Sequence, residues 1–111
     1  MKSQSVVVLS LLVASFLLLE GVSGGGWTEI KDLDDPLVHE IAEFAVAEHN
    51  KKANTDLVPQ ELVKGEMQSG GGSTTYRVTI VVRDGKVSKR FEAVVGETNK
   101  GVRTLTSFQQ V

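Results

Sequence analysis

Few residues of this chain carry side chains suited to covalent or metal chemistry. There is no cysteine, which removes disulfides, thiolate metal sites, iron–sulfur clusters and a thiol nucleophile together. His39-Glu40-Ile41-Ala42-Glu43 begins like a zinc-protease helix, but Glu43 stands where the second histidine is required, so two imidazoles cannot face one metal. His39 and His49 lie about 280° apart around a helix and read as solvated helix residues. Ser69 and Ser73 flank a glycine run without the Gly-x-Ser-x-Gly elbow, and neither histidine is placed to activate them. Gly70-Gly71-Gly72 lies between strand-like segments, opens no helix and lacks the Lys-Ser/Thr that contacts phosphate and magnesium. A hairpin tip explains it. The carboxylates are scattered on solvated faces, none in an apolar pocket that would raise its pKa. No metal, cofactor or catalytic centre is expected, and the chain reads as a binder.

The elements that must position a binding surface come after an N-terminal signal. Met1-Lys2 supplies positive charge, Val6 to Leu19 is apolar apart from Ser10 and Ser15, and Gly21-Val22-Ser23 offers the small residues of a cleavage site. The apolar run is too short and wrongly flanked for a membrane span. A signal peptide over 1–23 and a single domain over 24–111 are therefore expected. Delivery is through the secretory pathway, to an extracellular or vacuolar destination, with no membrane partner after cleavage. Cleavage removes one charge of each sign, so the net charge of −2 persists, which offers nothing to attract nucleic acid. A domain of this size, 41% hydrophobic in the full sequence and lacking disulfides, must bring every periodic segment into one core.

Trp27-Thr28-Glu29-Ile30 alternates apolar with polar and predicts a short strand after the flexible Gly24-Gly25-Gly26. Asp35-Pro36 places an N-cap before a proline at the first helical position. Leu37, Val38, Ile41, Ala42, Phe44, Ala45 and Val46 then recur at helical spacing. The helix should fade at Lys51-Lys52, before Asn54 and Pro59 break the pattern. Four strand-like segments follow. They are Leu62 to Gln68, Thr75 to Arg83, Val87 to Val95 and Val102 to Phe108, with turns at 69–73, at Asp84-Gly85 and at 96–101. Tyr76, Val78, Ile80 and Val82 share one face, as do Val87, Phe91, Ala93 and Val95. The fold class is α+β, an antiparallel sheet of about five strands with one apolar face covered by one long helix. The turns at 69–73 and 96–101, separated by two strands, should emerge at the same end, within reach of the first strand's start.

The run Gly25-Gly26-Trp27, then Asp35-Pro36, then Ile41-Ala42-Glu43-Phe44-Ala45-Val46-Ala47-Glu48-His49-Asn50, resembles the plant cystatins, inhibitors of papain-like cysteine proteases. Gly65, Gln68, Tyr76-Arg77, Phe91-Glu92-Ala93-Val94-Val95 and Leu105-Thr106-Ser107-Phe108 extend the likeness over essentially the whole mature chain. The resemblance implies a curved antiparallel sheet wrapped on one helix; a monomer is the expected state. The resemblance also implies a reversible, noncovalent wedge, in which the glycine-bearing trunk and two hairpin loops enter the protease cleft. By that resemblance the protease contacts fall on Gly25, Gly26, Gln68, Ser69, Gly70, Gly71 and Gly72; Trp27, a lone tryptophan at a strand start, is read as packing that anchors the trunk to the body.

Two departures bear on function. The family's first loop reads Q-x-V-x-G, whereas Gln68-Ser69-Gly70-Gly71-Gly72 has Gly70 in place of the valine and Tyr76 one residue late. The family's second loop carries Pro-Trp, whereas Gly96-Glu97-Thr98-Asn99-Lys100-Gly101 has neither residue. Weakened or more selective inhibition is one expectation. The alternative is a noninhibitory interaction or storage protein that retains the fold.

Overall fold

The computed structural model describes residues 26–111. The expected signal peptide, Gly24 and the candidate contact Gly25 lie outside the described residues. Five strands form one sheet in the order of the chain: β1 (Thr28–Glu29), β2 (Val58–Gly70), β3 (Ser73–Asp84), β4 (Val87–Thr98) and β5 (Arg103–Gln110), each antiparallel to its neighbour. The helix α1 (Pro36–Ala53) lies across one face.

The helix begins and ends where local chemistry dictates. Asp35 is the N-cap, its side-chain oxygen accepting the Leu37 N–H at 2.9 Å, and Pro36 follows. At the other end Asn54 turns left-handed with φ 58°. Asn50 then ties the helix to the next segment: its Oδ1 accepts the Leu57 N–H at 2.9 Å and its Nδ2 donates to the Leu57 carbonyl at 3.0 Å. The chain is thus delivered to β2 immediately after the helix, which is why β2 starts at Val58 rather than Leu62. Pro59 does not break it. There β2 has no partner on its outer side, because β1 pairs only with Glu66 and Met67, and the register shifts between Pro59 and Glu61. A proline is tolerated at such an edge or bulge.

The core follows the two periodicities. Val38, Ile41, Ala42, Ala45 and Val46 from α1 meet Tyr76, Val78, Ile80 and Val82 from β3 and Ala93 and Val95 from β4, all buried. In-register pairs such as Tyr76 with Val95 and Val78 with Ala93 put these side chains on the same face. Gly65, in register with Val78, lies on this face, where a Cβ would press on Ile30 and Leu33 at 3.3 Å. Val87, expected in this face, is 55% exposed, since it flanks the turn in the last pair of the β3–β4 ladder. His49 is also not a simple solvated residue: it is half-buried and its ring stacks on Phe108 with centroids 4.1 Å apart. The turn after β3 is one residue later than predicted. Asp84 pairs with Val87, so Gly85 and Lys86 are the central residues, and only Gly85 needs a positive φ, at 67°.

Candidate functional site

Antiparallel pairing brings three segments to one end of the sheet. β2 runs toward the turn that joins it to β3, and β1 runs away from that turn with Thr28 opposite Met67. Trp27 and Gly26 precede Thr28 and so lie on the side of that turn. The connection between β4 and β5 emerges beside them, and the Asn99 N–H donates to the Gly72 carbonyl at 3.0 Å. The two tips are therefore joined by a main-chain hydrogen bond.

The glycine run is divided in its roles. Gly70 is the last residue of β2, paired with Ser73, while Gly71 and Gly72 have φ of 64° and 80°. Two central residues with positive φ make the type I′ turn that suits the twist of a hairpin, so these glycines fix a tight turn. Ser73 Oγ donates to the Gly70 carbonyl at 3.3 Å, and the hydroxyls of Ser69 and Thr74 are 3.4 Å apart across the ladder. Gln68 is half-buried and in register with Thr75, on the sheet face opposite the helix.

The second tip is organised by Thr98. Its N–H donates to the Val102 carbonyl at 2.9 Å, its carbonyl accepts the Gly101 N–H at 2.9 Å, and its Oγ1 accepts from the N–H groups of Lys100 and Val102 at 3.2 and 3.1 Å. Gly101 has φ 84°. Below the loop, Arg103 donates through Nε to Glu97 at 2.9 Å and through Nη2 to Glu40 on the helix at 3.2 Å. Burial, and then the charge of Glu97, push the Tyr76 phenol above its usual pKa. Between the tips lies an open notch of 580 Å³ bordered by Ser69, Gly70, Ser73, Thr74, Glu97 and Asn99.

Sequence reasoning missed one residue at this end. Val102, expected inside the last strand, precedes it and stands 60% exposed on the second tip. The signal was present as an apolar residue immediately after the Gly101 turn. On the trunk side, the Arg77 guanidinium lies 4.2 Å from the Trp27 ring centroid, and Arg77 Nε donates to Glu66 at 2.7 Å. That hydrogen bond, first among its influences, holds the Glu66 carboxyl below the ordinary glutamate range. Among the described residues no cluster of three His, Asp or Glu side chains is arranged to hold a metal. The arrangement offers turns, backbone donors and one apolar side chain, which are the means of binding another surface.

Known proteins have similar sequences. Cysteine proteinase inhibitor 1 of Actinidia chinensis var. chinensis is 44% identical over 91 residues, 81% of this chain and 78% of that protein. Cysteine proteinase inhibitor 5 of Arabidopsis thaliana is 39% identical over 107 residues, 93% of this chain and 87% of that protein. The chain belongs to the plant cystatin family. Its members are named as proteinase inhibitors rather than enzymes. A family model described as SQAPI, aspartic acid proteinase inhibitor, also matches residues 30–111 of this cystatin. The solution structure of the squash aspartic acid proteinase inhibitor shares the fold, with TM-score 0.61 and 24% identity over 78% of this chain and 93% of that one.

Proposed function

We propose that this cystatin is a reversible, noncovalent competitive inhibitor of papain-like cysteine proteases, secreted as a monomer after loss of residues 1–23. The observation that carries the reading is the hydrogen bond from Asn99 to Gly72, which joins the two hairpin tips into one edge. A blocking wedge gains from such preorganisation because less conformational freedom is lost on binding. Gly25 and Gly26 serve as the trunk, Gln68 to Gly72 as the first contact, and Val102 supplies apolar contact in place of the missing Pro-Trp. With Gly70 contributing no side chain, affinity is lower or the target range narrower than for a loop with valine. The extracellular space or the vacuole is the destination.

A second reading, inhibition of aspartic proteases, is favoured by the family model over residues 30–111. Mature chain beginning at Gly24 should be titrated against active-site-titrated papain and against pepsin, up to micromolar inhibitor. Competitive inhibition of papain is expected. Inhibition of pepsin alone establishes the second reading, and inhibition of neither enzyme by a folded chain refutes both and leaves the noninhibitory alternative.

A further inference from the structure

Trp27 is the only tryptophan in the chain and stands immediately before a strand of two residues. So short a strand is a weak hold on whatever precedes it. Below Thr28 and Glu29 the Ile30 N–H adds one further bond to Gly65 at 2.8 Å, but the backbone pairing stops at Thr28 on the side of the hairpin tips. From there upward the described attachment is the Trp27 side chain.

That attachment spans three strands on the sheet face away from the helix. Arg77 belongs to β3, so its guanidinium reaches diagonally across β2 to lie 4.2 Å from the Trp27 ring centroid. Glu66 of β2 is in register with Arg77 and fixes its Nε at 2.7 Å. The pair is largely withdrawn from water, with side chains 29% and 17% exposed, a setting in which a cation over an aromatic face is held more firmly than at an open surface. Glu29, opposite Glu66 in the ladder, is exposed. The next residue upstream, Gly26, has φ 37°, so the backbone changes direction at the point where the clamp ends.

We infer that Arg77 and Glu66 are positioning residues for the trunk: by fixing Trp27 they hold Gly26 at the hairpin-tip end of the sheet in the orientation needed to enter a protease cleft. The inference rests on the proposed function. Its physical content is preorganisation. A trunk released from the clamp must be ordered when the complex forms, and ordering one residue of backbone, or losing one partly desolvated cation–π contact, corresponds to about 3- to 30-fold in affinity. A merely stabilising contact would act through the folded fraction and not through Trp27.

The test uses the mature chain, its single tryptophan as reporter, and papain as probe. Arg77→Gln is expected to shift Trp27 emission to the red and raise the inhibition constant about 3- to 30-fold. Glu66→Gln, the milder change, is expected to move both readings the same way and less. In a Trp27→Ala background the Arg77→Gln substitution should add no further loss. An unchanged inhibition constant in both single variants overturns the inference while the parent's inhibition leaves the proposed function standing. An equal loss in the Trp27→Ala background also overturns it, because Arg77 then acts on general stability. A parent that does not inhibit papain overturns the proposed function, and the clamp's inhibitory role with it.

Discussion

Gly70→Val is the substitution whose outcome depends most directly on the shape of the first tip. Gly70 lacks a positive φ, ends β2 opposite Ser73, and a Cβ built there meets nothing within 4 Å. A Cβ can therefore enter there without displacing anything. A fully buried valine is worth about 1.5–3 kcal/mol. If a protease covers about half of it, the gain is about 0.7–1.5 kcal/mol, or 3- to 12-fold in the inhibition constant. The strand should also become more stable by about 0.5–1 kcal/mol, since valine replaces the residue with the most freedom to lose. Gly71→Val is the contrasting variant. With φ at 64° the same side chain is forced into the left-handed region, at a cost of about 1–2 kcal/mol, and the turn that presents Gly70 is deformed. Titration against active-site-titrated papain, with thermal unfolding alongside, separates the two. A folded Gly70→Val chain with the parent's inhibition constant refutes the placement of Gly70 at the contact surface. Equal improvement from Gly71→Val refutes the division of roles within the glycine run.

Further outcomes are expected elsewhere at this end. Val102→Ser, at a 60% exposed position, should leave unfolding nearly unchanged and raise the papain inhibition constant by about 2- to 10-fold through lost apolar burial; an unaltered constant removes Val102 from the contact set. Thr98→Val keeps the side-chain volume but deletes the acceptor shared by Lys100 and Val102, so chemical denaturation should register a loss of about 0.5–1.5 kcal/mol. Because Arg77, and more weakly Lys64, hold Glu66 deprotonated in the fold, its contribution is complete above about pH 4.3 and is lost as pH falls through the lower folded value. Glu66→Gln should therefore lose less stability than the parent on acidification, and parallel stability curves would sink that reasoning.

What the sequence made legible was what local chemistry determines. Asp35-Pro36 announced the helix start, and Tyr76, Val78, Ile80 and Val82 announced a strand and its buried face. The convergence of both tips at one end followed from counting strands between the turns. The misplacements have a common cause, which is that partners distant in sequence decided them. Pro59 reads as a breaker until it is known that β1 leaves that stretch of β2 without an outer neighbour. His49 reads as a solvated residue until Phe108 arrives beneath it. Gly85-Lys86 displaces Asp84-Gly85 as the turn because the ladder continues through the Asp84 and Val87 pair. At the site, the glycine run was recognisable as a tip, but its separation into one strand residue and two turn residues depends on backbone angles that composition does not encode.

The bond between Asn99 and Gly72 also bears on how such a protein can be retargeted. Loops on a scaffold are commonly treated as separate cassettes, each exchangeable while the other stays constant. Here the two tips share a backbone contact, so a new backbone path in either one alters the support of the other. The unit of inheritance, and of grafting, is the pair. Libraries that vary both tips together should yield folded, discriminating variants more often than libraries that vary them in turn. A lineage drifting toward a new target would be expected to change them in concert.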